Sequence, residues 1–353
     1  MIQRPISVLL FGVLMAAMLC QAQSVTLDIP RQSQHAVVTQ RIGITDITIN
    51  YHRPLAGSRK IWGAVVPYGQ VWRAGANENT TISFSDPVTI EGKPLDKGTY
   101  GLFMIPAEDQ WTVILSKNST SWGAFTYKEA EDALRVTVKP QSSDPQNALA
   151  YDFDQVKPDS TVITMRWEKV AVPFTVGVNV NQIVADSLHK QLRGLAQYTW
   201  DGWNDAGTYL VMNKGDLQEA LKYEDQSIQV EERFENLSTK ARVLDALGRK
   251  DEARATLAKA FEKGSPLQIH GYARQLQGEN KQDEAFAIFR SNAQKHPDQW
   301  FTHVGLARVY SGQGDFNSAV KEVGLALNTA PDQQKDYLKS LMKRLEAKDD
   351  INR

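Results

Sequence analysis

From Ala36 to about Val180 the apolar residues fall on alternate positions. Ile47, Ile49 and Tyr51 form one run, followed by Ile82 with Phe84, Val88 with Ile90, and Tyr100 with Leu102 and Met104. Trp111, Val113 and Leu115 continue the pattern, then Leu134, Val136 and Val138, then Leu149, Tyr151 and Phe153. Ile163, Met165 and Trp167 close it, with Val170 and Val172 behind them. A period of two turns one face of a strand to a core and the other to water. Turn chemistry separates the runs, as at Ser85-Asp86-Pro87, Glu91-Gly92-Lys93-Pro94 and Val156-Lys157-Pro158-Asp159. Eight or more short strands so spaced predict an all-β antiparallel sandwich, with a closed barrel as the alternative. A short helix is expected around Lys128 to Leu134, where the alternation is interrupted.

Beyond Asn181 the period becomes helical. Ile183, Val184, Leu188, Leu192 and Leu195 predict a linker helix. A repeat follows, marked by Ala220, Ala253, Ala285 and Ala319 at spacings of 33, 32 and 34 residues. Around each alanine recur a helix-ending Gly215, Gly248, Asn280 or Gly314, and a second small residue at Ala241, Ala273 and Ala307. Prolines 266, 297 and 331 punctuate the units, and Gln333 to Lys348 reads as an amphipathic helix capping the last apolar face. The expected organisation is a segment 1–22, a β-domain 33–176, a linker helix 181–197, an all-α repeat array 198–331, and a cap and tail 332–353.

Composition narrows the function classes. The 353 residues are 42% hydrophobic with a net charge of −1, enough for two cores and without a global field for nucleic acid or anionic lipid. Arg4, the apolar run Ile6 to Leu19 and the small and polar residues after it read as a secretory signal peptide, too short to span a membrane. Cleavage after Ala22 is expected; lipidation at Cys20 is the alternative, disfavoured because Leu19 stands where a small residue belongs. Cys20 is the sole cysteine, so the mature, periplasmic chain would hold no disulfide, thiol nucleophile or thiolate metal site, and no transmembrane segment.

Tyr51 to Thr81 is the densest stretch, with three arginines, two tryptophans, two tyrosines, two prolines and four glycines in 31 residues. Arg53, Arg59 and Arg73 could converge on an anion, with Trp62 and Trp72 as stacking surfaces and Asn77 and Glu78 as polar contacts. The opposing reading makes the tryptophans filler for the end of the sandwich and pairs the arginines with acids or carbonyls. Asn77 suits a positive-φ turn as well as a ligand contact. His52, with Glu78 near it in sequence, is an imaginable acid–base pair, although an exposed turn histidine is the commoner case. Asp152 and Asp154 share one strand face, as a calcium pair or as solvated carboxylates.

Two resemblances carry this further. IWGAVVPYGQVWRAGANENTTISFS, IEGKPLDKGTYGLFMIP and WTVILSK resemble the exported bacterial family called Domain of Unknown Function 2911, from about Ser33 to Val172. That kinship implies a fold and an exported address and supplies no catalytic residues. LARVYSGQGDFNSAVKEVGLALNTAP resembles the tetratricopeptide repeat, which implies stacked helix pairs whose first helices line a concave groove. On that alignment Arg242, Arg274 and Arg308 share one repeat position, Tyr209 is their equivalent, and His270 and Phe301 lie a turn earlier. Such a ladder suits peptide carboxylates; arginine is also simply a good helix former.

No metalloprotease, nucleophile-elbow, phosphate-loop or dinucleotide motif is present, and no cofactor or metal is expected. The expectation is a non-enzymatic exported binding protein whose repeats engage a protein or peptide. The alternative is a carbohydrate or anion site at Tyr51–Thr81, with hydrolysis by Glu78 or His52.

Overall fold

The structure is a computed structural model that describes residues 30–352; the expected signal peptide with Cys20 lies outside them. Two compact units divide the chain, one of Asp46–Gly177 with the strand before it, the other from Val178 onward together with Gly43–Thr45. Among the described residues no helix is long and apolar enough to cross a membrane.

The first unit is built of two antiparallel sheets. β1 (Gln34–Ile42), β2 (Thr45–Arg53), β3 (Thr81–Phe84), β6 (Gly98–Ile105), β7 (Trp111–Ser116) and β8 (Asp132–Val138) lie in that order in one sheet. β4 (Val88–Ile90), β5 (Lys93–Leu95), β9 (Gln141–Asp154) and β10 (Ser160–Gly177) make the other, in the order β5-β4-β10-β9. Register keeps the apolar faces together: Ile49 stands opposite Ile82, Met104 opposite Val113, and Met165 opposite Tyr151. All six of these side chains are buried.

Side chains from the two sheets meet in the core. Tyr51 of β2 packs edge-on against Tyr151 of β9 at 4.9 Å between centroids, and its hydroxyl accepts from the Tyr151 amide at 3.2 Å. Two local expectations differ from what forms. The Lys128–Leu134 helix is only a 3-10 turn at Glu129–Glu131, because Leu134, Val136 and Val138 continue the alternation and pair with β7. The runs ending at Trp167 and beginning at Val170 are one strand, β10, carried past a bulge where Glu168 takes a φ of 55°.

The second unit opens with α1 (Val180–Gln191) and continues as four helix pairs. The first helices are α2 (Trp200–Met212), α4 (Phe234–Ala246), α6 (Pro266–Gly278) and α8 (Trp300–Gly312). Their partners are α3 (Leu217–Val230), α5 (Lys250–Lys263), α7 (Gln282–Lys295) and α9 (Phe316–Thr329), and α10 (Asp332–Glu346) caps the row. Ala220, Ala253, Ala285 and Ala319 are all buried, each on the second helix of its pair, where a larger side chain would hold the helices apart. Gly248, Asn280 and Gly314 take φ of 77°, 61° and 80° and close the turns between paired helices. In the first pair that conformation falls on Lys214 instead, one residue before Gly215.

Glu224 of α3 is fully buried, and neither carboxyl oxygen has a hydrogen-bond partner among the described residues. Burial, then the charges of Asp225 and Asp205, raise its pKa to about 9, against a weaker pull from Lys240. His270 of α6 is the converse: burial, then Arg308 and Arg274, lower it to about 4. Between their unfolded and folded values Glu224 makes stability fall as pH rises, whereas His270 makes it rise. The two slopes oppose each other below the ordinary histidine value of 6.5; above it only Glu224 remains, at about 1.4 kcal/mol per pH unit. Helical unfolding followed by circular dichroism should therefore show lower stability at about pH 8.5 than at about pH 7, and Glu224→Gln should flatten that difference.

Candidate functional site

The chain from Pro54 to Thr80 forms no ladder strand, yet it is tied down along its length. Ala56 N donates to the Asn147 carbonyl at 2.7 Å, Gly69 N to Pro106 at 2.8 Å, and Trp72 exchanges two bonds of 2.8 Å with Met104. Asn79 N reaches Ser121 at 3.0 Å. An irregular segment of this length inside a folded unit needs such substitutes for ladder bonds. Ala74, fully buried at a φ of 52°, has its carbonyl held by Tyr151 Oη at 2.8 Å and Thr80 Oγ1 at 3.2 Å. The left-handed conformation of a residue with a Cβ persists because both donors fix it.

Trp62 is buried at the centre of a tryptophan cluster. Its ring meets Trp111 of β7 at 4.9 Å, Trp167 of β10 at 5.7 Å and Trp72 at 5.8 Å, all edge-on, while Trp72 stacks on Trp167 at 5.9 Å. Trp62 is thus packing and not a ligand platform. Arg53 directs Nε to the Leu149 carbonyl at 2.8 Å, which removes it from the expected trio of arginines.

Arg59, Trp72, Arg73 and Asn77 do come together, lining one cleft of ≈ 310 Å³ with Leu55, Val65, Val66 and Trp167. Arg59 donates to the Leu55 and Ala56 carbonyls, the latter at 3.3 Å. Arg73 lies 5.8 Å over the Trp122 ring, with Nε buried and unpartnered, and burial lowers its pKa. Asn77 takes the expected positive φ, 57°, and its amide donates to the Ser33 carbonyl at 3.4 Å. Trp167, a strand residue in the alternation pattern, also borders the cleft, its ring buried beneath Trp72.

Glu78 does not line the cleft. Its carboxylate pairs with Arg31 and stands 3.4 Å from His52 Nε2, and His52 packs at 5.3 Å against His35, which bonds Asn50 at 2.7 Å. Burial would raise the Glu78 pKa, but the Arg31 hydrogen bond and charge lower it overall. Burial also lowers His52, against the pull of Glu78. A carboxylate anchored on an arginine is poorly placed to relay a proton. Asp152 and Asp154 are likewise engaged: Arg166 bridges them at 2.9 and 2.6 Å, and Thr164 donates to Asp154 at 2.6 Å. The calcium-pair reading gives way to this ion pair.

On the helices, Arg242 pairs with Glu279 at 2.7 Å and the exposed Arg274 donates to Gln277 at 2.6 Å. Tyr209 donates to Asn181 of α1 at 3.2 Å. Phe301 is buried against His270, ring centroids 5.9 Å apart, and His270 is itself largely buried. Arg308 departs furthest from the expected open groove ladder, being only 4% exposed. Its guanidinium donates to the Ile351 carbonyl at 2.7 Å and to Tyr337 Oη at 3.0 Å. The segment after α10 has folded back over α8 and α6. Ser311 donates to Asp350 at 2.8 Å and accepts from Ile351 N at 3.0 Å, while Asn352 bonds the Arg308 carbonyl at 2.8 Å and Gln277 at 2.7 Å. No sequence signal announces this docking, since 349–352 is short and mostly polar.

Residues 33–176 match the family model described as Protein of unknown function (DUF2911). The DUF2911-like unit therefore takes in the cleft arginines and all four clustered tryptophans, and the helices lie outside the match. A solved structure described as "Crystal structure of YrrB: a TPR protein with an unusual peptide-binding site" covers 46% of this chain and 84% of that one, at 17% identity and a TM-score of 0.27. No curated protein matches the chain. The repeat architecture accordingly rests on this chain's own helix pairs.

The two roles within the loop separate by stability. Trp62→Ala should lower the unfolding free energy of the β-unit by about 3–5 kcal/mol. Arg59→Ala, on the exposed rim, should stay within about 0.5 kcal/mol. Denaturant titration followed by tryptophan fluorescence measures both, and a neutral Trp62→Ala would remove its packing role.

Proposed function

We propose that the protein is an exported, non-enzymatic binding protein whose row of first helices engages a stretch of a protein or peptide partner. One observation carries this reading: α8, with Gln277 of α6 beside it, already holds a short peptide segment, the chain's own residues 350–352, in a turn. It does so through side chains aimed at the segment's backbone, with Arg308 on the Ile351 carbonyl and Ser311 on the Ile351 amide. Recognition of backbone groups by fixed side chains does not require a particular ligand sequence.

Beside the occupied part, α6 leaves a strip uncovered. Leu267 is 55% exposed, Arg274 is exposed at the next position but one on that face, and Gly271 and Gly278 have no neighbour within 4 Å of where a Cβ would stand. Glycine in an exposed helix interior costs about 1 kcal/mol relative to alanine. A partner backbone lying close against α6 gives Gly271, the glycine inside the helix, a use. Export is supported by the charged, apolar and small-residue order of the first 22 residues.

A photo-crosslinking side chain at Leu267 should give discrete adducts in cells, and one at Arg254, exposed on the second helix α5, should not. Identical patterns, or none at Leu267, would refute the groove assignment. N-terminal sequencing of the mature chain should begin at Gln23; an acylated Cys20 at the terminus would replace periplasmic release with membrane anchoring.

A further inference from the structure

We propose that the cleft of the β-unit binds a small organic anion, its oxyanion on the Arg73 guanidinium and its apolar body against Trp72 and Val65. None of this depends on what the helices bind.

The first ground is an uncompensated charge. Arg73 is half-buried and makes no ion pair and no hydrogen bond among the described residues, and its Nε is shielded from water. Its one favourable neighbour is the exposed Trp122 face at 5.8 Å, a weak substitute for a counter-ion. A shielded guanidinium without a partner is costly in the empty protein, and an incoming anion relieves that cost. Arg166, Arg135 and Arg242 show the ordinary outcome in this same chain, each paired with a carboxylate.

The second ground is the sign of the lining. Arg59 and Arg73 contribute two positive charges, and none of the thirteen lining residues is acidic. Arg59 meets only backbone carbonyls, which solvate its donors and leave its charge in place. Glu78, the acid next in sequence to the cleft's Asn77, is anchored on Arg31 instead.

The third ground is shape. A volume of ≈ 310 Å³ is at the low end for ligand cavities and suits a single ring or short branched chain. Trp72, backed by the buried Trp167, and Val65 give that body an apolar wall, and the arginine fork fits a planar carboxylate on two oxygens.

The test is titration of the full-length protein with benzoate, acetate, inorganic phosphate and benzamide, read by tryptophan fluorescence and calorimetry. Benzoate should bind saturably. Benzamide, which lacks the charge, and acetate, which lacks the ring, should each bind at least about tenfold more weakly. Arg73→Met should abolish benzoate binding while leaving the ligand-free unfolding midpoint unchanged or raised, as expected on removing an uncompensated charge. Arg59→Gln should weaken benzoate severalfold. Benzoate binding no tighter than benzamide, or surviving Arg73→Met, overturns the site; phosphate or acetate equal to benzoate overturns the organic body. If Arg73→Met does not fold, Arg59→Gln decides, and unchanged benzoate affinity there sinks the proposal.

Discussion

The β-unit depends on one contact set, the ring of Trp62 wedged among Trp72, Trp111 and Trp167. Trp111 belongs to one sheet and Trp167 to the other, so a residue from neither sheet joins them. Aromatic rings bury large areas and add directional edge-to-face attraction, which suits a junction that must hold an irregular segment in one arrangement. With Trp62 fixed, Trp72 is placed on Trp167 and the cleft acquires its wall. Packing the core and bounding the cleft are consecutive uses of one loop.

That division explains what could be read from the sequence. Alternation at Ile47, Ile49 and Tyr51 and alanines recurring from Ala220 to Ala319 are local patterns that the backbone geometry imposes, and both sheets and helix pairs follow them. The composition of Tyr51–Thr81 marked the loop that bounds the cleft, yet it could not sort Trp62 from Trp72 or Arg53 from Arg73. Those assignments depend on which distant residue arrives beside each one: Leu149 for Arg53, and no carboxylate for Arg73. Arg308 shows the same limit more sharply. Its repeat position suggested exposure, and a segment 43 residues further along the chain covered it.

The helical unit uses its first helices in two ways. Near α1 and α8 they serve the chain itself, through Tyr209 on Asn181 and Arg308 on Ile351. Across α6 they leave Leu267 and Arg274 to solvent. Among the described residues α1 meets α2 and α10 packs on α9, while part of α6 stays exposed.

Glu224 also constrains the order in which this sequence can change. A Cβ at Gly207 of α2 would stand 2.1 Å from the Glu224 carboxyl, so the acid fits only because residue 207 has no side chain. Shortening position 224 first frees position 207 to vary; enlarging position 207 first forces the buried Glu224 side chain to shift. The two orders of substitution therefore differ in cost, and residues in such contact are expected to have non-additive effects.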